Sequence, residues 1–540
     1  MKRLLSLIFS VIFSVCVFAG CGGNGKKSGG NNSASPNGAP DYSDSLLSMN
    51  QYAFIGPTNG SFTTQSGTRV VGEDNRTAER YLEYKQCGFD VLLLLGNDGY
   101  SSVNSTFNLI TKEQEAEIFS DSQLKRNLDL CEQVGLKTIV FDDRIHALSS
   151  VEKSIIKEEG KDKEPIIVNC AAGTFTYPFN DATLNIGDGK ITVNGVEYDI
   201  RNVLYQYENE QELENVLAVW MSAYASHPAF YGVSTFDEPQ NSKLLALGQV
   251  NKAIKNLYPN AFVQTCLLPY YGTASSILSV SSEKAFREYI DEYIDKTGSD
   301  YFGYDYYPML KNDAGTTMQS TYLYCLQMSA ELAAKNNCSW EITVQTYAQS
   351  GTLRSNTAAD VELQMNLALA FGAYNVNYFT YWMWQNKAGW SECFAIMDDY
   401  GNKLLYDEVK KVNEDGKQLY KIIGNYTYQK TKLSYIGVSA PIWYKGVKES
   451  ELDGADFTSD GNVLVNQLED AKKGCKGYMV VNVSDTAKEN LTSVTLSFNG
   501  FDSVMAVKDG QTTYKTLNDG KINLLLEQGE GVFLIPYKTK

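Results

Sequence analysis

The chain has 540 residues, 43% hydrophobic and 12% aromatic, with a formal net charge of −17. That length suits two folded units plus a targeting region, and the negative balance excludes nucleic-acid binding and a polybasic membrane patch, both of which need clustered Lys and Arg. Only two histidines are present, His146 and His227, so zinc catalysis and Ser-His-Asp hydrolysis are disfavoured and acid–base chemistry falls to Asp, Glu and Tyr.

In chain order, a basic start at Met1-Lys2-Arg3 precedes an apolar run from Leu4 to Ala19 and then Gly20-Cys21. The run is too short and wrongly flanked to span a membrane and reads as a secretory signal over 1–20. Residues 21–45 are rich in Gly, Asn and Ser and cannot bury enough surface to fold, so they read as a flexible tether. Eight later cysteines (Cys87, Cys131, Cys170, Cys266, Cys325, Cys338, Cys393 and Cys475) show no metal-ligand spacing. They read as buried free thiols, with a disulfide left open.

From 46 to 425 β-prone runs alternate with helical ones. The predicted strands are 53–57, 90–95, 137–141, 230–236, 261–266, 301–306, 341–347 and 376–382. Helical patterns separate them at 76–87, 112–134, 209–226, 243–257, 282–296, 320–336 and 360–371. Apolar strands alternating with helices indicate a parallel sheet covered on both faces. Eight units suggest closure into a (β/α)8 TIM barrel, with an open doubly wound sheet as the alternative. The break at 147–208 is too long for a simple loop, and the alternation and turn signals of 183–198 predict a β-hairpin insertion there. A helix over 405–423 closes this unit. Short alternating runs over 426–540 then predict an all-β sandwich. The fold class is therefore α/β, a TIM barrel followed by a C-terminal β-sandwich.

A barrel gathers the carboxyl ends of its strands. Those ends carry Asn97, Asp142, Asp237, Glu238, Tyr271, Asp305, Tyr306, Tyr307, Gln345, Tyr347, Trp382 and Trp384. The most informative segment is Phe230-Tyr-Gly-Val-Ser-Thr-Phe-Asp-Glu-Pro239, an apolar strand ending in two adjacent carboxylates and a proline that stops pairing. Read blandly, it is a strand running into an acidic turn.

Two resemblances extend this reading. Val17-Phe18-Ala19-Gly20-Cys21 resembles a bacterial lipobox, with Phe18 where Leu is usual. The resemblance implies cleavage before Cys21, lipid on its sulfur, and an extracytoplasmic body held at the cell membrane by that anchor alone. Glu238 ending strand four, Tyr304-Asp-Tyr-Tyr-Pro308 on strand six, Tyr381-Trp-Met-Trp384 on strand eight and Met397-Asp-Asp-Tyr-Gly-Asn-Lys403 before Tyr406 resemble retaining barrel glycoside hydrolases, the family-42 β-galactosidases being the nearest shape.

The second resemblance implies a carbohydrate substrate, an oligo- or polysaccharide cut at an O-glycosidic bond. Glu238 is then the general acid/base, its pKa raised by burial or by a neighbouring carboxylate, here Asp237. Tyr306, Tyr307, Trp382 and Trp384 hold the sugar, with Asn97, Asp142, Tyr271 and Gln345 as further contacts. No cofactor and no metal are implied, although acidic loops leave calcium open. Such hydrolases usually carry Asn rather than Asp before the acid, and a nucleophilic Glu at the end of strand seven. In this chain Glu341 stands at the start of that strand and Gln345 near its end. Three explanations compete. Asp305 completes the pair, with Glu392 and Asp142 behind it; or the substrate's own acetamido group attacks, steadied by Asp237; or the barrel binds glycans without cutting them. A solute-binding lipoprotein is a further alternative that predicts two lobes and a hinge. Sugar identity, linkage, stereochemical course and oligomeric state stay open.

Overall fold

The computed structural model describes residues 36–63, 68–95, 99, 110–180, 182–272, 280–312, 315–349, 351–383 and 394–540. Parallel strands Val91–Leu94, Lys137–Phe141, Phe230–Asp237 and Phe262–Cys266 form one sheet, and Tyr301–Tyr306, Ser339–Gln345 and Asn375–Phe379 a second. Backbone bonds join the two. At one seam Leu267 N donates to Gly303 O at 2.8 Å. At the other, an extended segment at Ala53 lies parallel to Tyr378, with Phe54 N donating to Tyr378 O at 2.8 Å. The same segment reaches the first sheet, where Asp90 N donates to Gln51 O at 2.9 Å. Hydrogen bonds therefore run from each of eight extended segments to the next, which places all their carboxyl ends on one side.

The strands read as continuous apolar runs because helices cover them. The helices start where short polar side chains cap them: Thr77, Ser122, Asn209, Ser282 and Thr357 each accept a backbone N–H. The sequence pattern predicts one helix over 112–134. The structure divides it into Lys112–Ser120 and Gln123–Val134, because Ser122 caps the second piece through a 3.0 Å bond from Lys125 N. Gly135, at φ 73°, ends that piece in the left-handed conformation glycine tolerates best.

The segment between the third and fourth units departs from the expected hairpin. It holds a five-stranded antiparallel sheet, Pro165–Cys170, Gly173–Thr176, Ala182–Asn185, Lys190–Val193 and Val196–Tyr205. Pro165–Cys170 has no alternating polar face, so its strand character is masked in sequence. Its pairing with both Gly173–Thr176 and Val196–Tyr205 gives the insertion a small core of its own around Val168, Cys170, Ile191 and Val193.

After the helix Tyr406–Ile423 come nine strands in a six-stranded and a three-stranded antiparallel sheet with an apolar filling that includes Val465, Val480, Leu496 and Leu534. This region docks on the helical layer: Asn466 Nδ2 donates to Ala370 O and Asn366 Nδ2 to Gly529 O, both at 3.0 Å. The run expected as a free tether to residue 45 packs earlier than that. Tyr42 is buried, its hydroxyl donating to Tyr426 Oη at 2.6 Å and lying 3.0 Å from Asp470 Oδ2. Other contacts hold the same run, with Asn37 O accepting from Lys540 N at 3.2 Å. Among the described residues no helix is long and apolar enough to cross a membrane, and the seven cysteines described are free.

Candidate active site

The fourth strand carries the two acids and a register shift places them. Ser234 lies opposite Gln264 and Asp237 opposite Cys266, three steps on one strand against two on its neighbour. Side chains alternate along a strand, so without the shift Asp237 would face away from Ser234. The bulge at Thr235, whose hydroxyl donates to Gln264 O at 2.8 Å, turns Asp237 onto the face of Cys266. The Cys266 thiol lies 3.9 Å from Asp305 Oδ1, so strands four, five and six bring Asp237, Cys266 and Asp305 together. Glu238 then leaves the strand with φ 46°, its N–H held by Cys266 O at 2.8 Å. A left-handed glutamate is strained by about 1–2 kcal/mol, a cost that clusters at functional positions.

Burial, then the charge of Glu238, then that of Asp305 push the Asp237 carboxyl well above the ordinary carboxylate range. Burial and then Asp305 do the same to Glu238. Burial raises Asp305 only to about 6, because the Tyr307 hydroxyl donates to its carboxylate and its own backbone and the Cys266 thiol also favour the charged form. No hydrogen bond reaches the Asp237 or Glu238 carboxyl from a described residue, and no Lys or Arg among those residues bears on any of the three acids.

Aromatic rings stand around the acids. Tyr307 and Tyr347 meet edge to face at 5.1 Å, and Phe379 lies 5.5 Å from Tyr307 and 4.8 Å from Tyr347. Tyr307 and Phe379 are half-buried, and both Asp305 and Glu238 bear on the Tyr347 hydroxyl. Tyr271, also half-buried, accepts from Tyr307 N at 3.4 Å.

Four residues expected to touch the sugar are engaged elsewhere. Asp142 is fully buried: it caps the helix Asp143–Ser149, binds Arg144 in two places, and accepts from Tyr224 Oη at 3.1 Å. Gln345 is also fully buried. Its oxygen accepts from Met309 N at 2.9 Å and its amide donates to Tyr347 O and Arg354 O at 3.0 and 3.1 Å, so it braces the loop above strand seven. Tyr306 is buried with its hydroxyl on Thr321 Oγ1 at 2.9 Å; its ring stands 4.6 Å from that of Tyr271. Trp382 is 1% exposed and lies under the Arg80 guanidinium, 5.7 Å from its ring centre. Asn97, Trp384, Glu392 and Cys21 lie outside the described residues.

Glu341 is buried at the far end of its strand, level with Gly303 and two residues below the Asp305–Thr343 level, where Tyr374 Oη donates to it at 2.9 Å. The sequence reading singles out neither Phe379 nor Cys266. Phe379 falls inside a strand whose alternation is hidden by apolar residues on both faces, and Cys266 reads as a core thiol.

No family model matches the chain, and no curated protein matches it. Solved structures similar to it include an Anoxybacillus α-amylase (11% identity, TM-score 0.43, covering 93% of this chain and 100% of that one). The GH27 β-L-arabinopyranosidase of Geobacillus stearothermophilus (10%, 0.41, 92% and 97%) and a GH30 endoxylanase of Clostridium papyrosolvens (11%, 0.37, 91% and 98%) are similar at the same level. These neighbours are glycoside hydrolases.

Proposed function

We propose that the eight strands form a (β/α)8 barrel whose mouth hydrolyses an O-glycosidic bond of an oligo- or polysaccharide. The observation that carries this is the set Asp237, Glu238 and Asp305: three carboxyls at strand ends, two of them without a donor among the described residues, next to half-buried aromatic rings. Structural acids are paired; these are left open to a ligand. Glycoside hydrolysis needs one carboxyl that keeps its proton and one that gives it up. Glu238 is the first, since burial and then Asp305 raise its proton affinity well above that of an ordinary carboxyl, and it protonates the leaving oxygen. Asp305 is the second, ionised near pH 6, and serves as nucleophile or as base for a water. Asp237 raises the acid's proton affinity when charged and shares its proton load when not. Tyr307 orients Asp305, and Tyr271, Tyr307, Tyr347 and Phe379 offer apolar faces to the ring of the sugar.

On the same reading the body works outside the cytoplasm, held by lipid on Cys21. A panel of aryl glycosides and polysaccharides tests the hydrolase: turnover present in the native chain and lost in Glu238→Gln is the expected result. Absence of turnover on the whole panel, or turnover indifferent to that substitution, refutes it.

A further inference from the structure

Two carboxyls suffice to cleave a glycosidic bond. Asp237 is a third, and its surroundings point to a substrate class. Its oxygens take no hydrogen bond from a described residue, and no Lys or Arg among those residues bears on Asp237, Glu238 or Asp305. A metal ion is a poor counterpart for this trio. Among the described residues the one set of three acids whose oxygens gather within 4.8 Å is Glu362, Asp509 and Glu530, at the junction with the C-terminal region. The site acids are therefore spread too widely to share one ion's coordination shell. Beside them stand the rings of Tyr307, Tyr347 and Phe379, mutually 4.8–5.5 Å apart. Carboxylates together with aromatic faces are the surroundings that favour an organic ammonium, and acids with no cation among the described residues repel a second anion.

We propose that the sugar ring bound here carries an unacetylated amino group, that Asp237 is the residue selecting it, and that uronates and other anionic sugars are rejected. The proposal rests on the hydrolase reading for the identity of the ligand as a sugar. The ammonium sits against Asp237, and its charge replaces the proton that the crowded acids otherwise retain. Binding of an amino sugar therefore releases protons, which binding of a neutral sugar does not.

Equilibrium titration of the native chain with D-glucosamine and D-galactosamine, their parent hexoses, their N-acetyl forms and D-glucuronate decides the matter. Runs in two buffers of different ionisation enthalpy count the protons. The expected result is an amine bound about tenfold or more tightly than its parent hexose, equivalent to about 1.4 kcal/mol, with proton release and with no binding of the uronate. Asp237→Asn is expected to bring the amine down to the affinity of the hexose. Equal affinity for amine and hexose overturns the proposal, as does tighter binding of an N-acetyl form, which favours the acetamido route. The comparison within the native chain stands even if the variant folds poorly. Hydrolysis of neutral glycosides that depends on Glu238 but shows no preference for amines sinks this inference and leaves the hydrolase reading intact. Amine-selective binding without turnover on any glycoside does the reverse.

Discussion

Two groups of buried acids on adjacent strands have opposite surroundings. Asp142, at the end of the third strand, and Glu115, on the helix Lys112–Ser120, are wholly buried and share one guanidinium, that of Arg144, which is itself 3% exposed and lies over Trp220 with 4.9 Å to the ring centre. At the end of the fourth, Asp237 is buried and Glu238 half-buried, with no cation and no donor among the described residues. In the first group both carboxylates meet a guanidinium, so that removing it strands buried charge. The second leaves its desolvation cost outstanding, which a folded protein tolerates where a ligand or a proton transfer makes use of it. Counting carboxylates would not separate the two; counting their partners does.

The largest expected effect comes from removing the proton donor. Glu238→Gln keeps the shape of the side chain and should lower turnover by about 10²–10⁴, the usual worth of a positioned acid–base group. Its melting temperature should be unchanged or higher, since an amide has no charge to strand. Steady-state rates and a thermal melt on the same preparation check both halves. A large loss of stability would place Glu238 with the structural acids.

The converse experiment is on the paired group. Arg144→Met should cost about 3–5 kcal/mol, because it leaves the Asp142 and Glu115 carboxylates buried without a counter-charge. Urea denaturation reads that loss. Adding Asp142→Asn and Glu115→Gln should recover most of it, since the stranded charges are then gone.

These contrasts show how far the sequence could be read. Asp142 and Asp237 look alike on paper: each ends an apolar strand and each has an acidic neighbour. What separates them is Arg144, two positions after Asp142, where a side chain on the first turn of a helix folds back onto its cap. Nothing of that kind follows Glu238. The alternation of strands and helices was legible because buried parallel strands are long apolar runs with glycine or capping residues between them. The bulge at Thr235 was not, since a register slip depends on the neighbouring strand, and no local pattern records it. The insertion was half legible. Turn signals marked the hairpin at 183–198, while Pro165–Cys170 pairs through its backbone across a long separation. Trp382 misled for a general reason: tryptophan near a strand end suits a sugar platform and a packed layer equally well, and only its place under Arg80 decides.

A smaller effect lies in the pH dependence of stability. Burial raises the carboxyl of Asp305 to about 6 in the folded chain, against about 3.9 for a free aspartate. A folded value above the unfolded one means the folded state holds the proton longer, so this residue's contribution is most favourable below about pH 4. It is lost progressively as pH rises to about 6 and stays lost above that. Asp305→Asn removes the group. The variant should therefore match the native chain near pH 4 and exceed it at pH 8 by on the order of 2 kcal/mol. Denaturant midpoints at the two pH values measure the difference. A variant less stable than the native chain at pH 8 would show that Asp305 is held by partners, as Asp142 is.

The finest test concerns the hydroxyl donor of the open group. The Tyr307 hydroxyl donates to Asp305 and holds its proton affinity below what burial alone would produce. In Tyr307→Phe the ring and its edge-to-face contact with Tyr347 remain, and only the hydroxyl is lost. A hydrogen bond to the charged form favours that form, so its removal should move the ionisation of Asp305 upward by about one unit. The acid limb of the pH–rate profile should then shift to higher pH by the same amount. Turnover at pH 6 should fall several-fold while turnover at pH 8 stays close to native. A purely structural tyrosine would lower the rate equally at every pH and leave the limb where it was. The direction of the shift also identifies the ionising partner: if Asp305 acts as the charged carboxyl, raising its proton affinity narrows the active range from the acid side, whereas a role as proton donor would widen the range on the alkaline side.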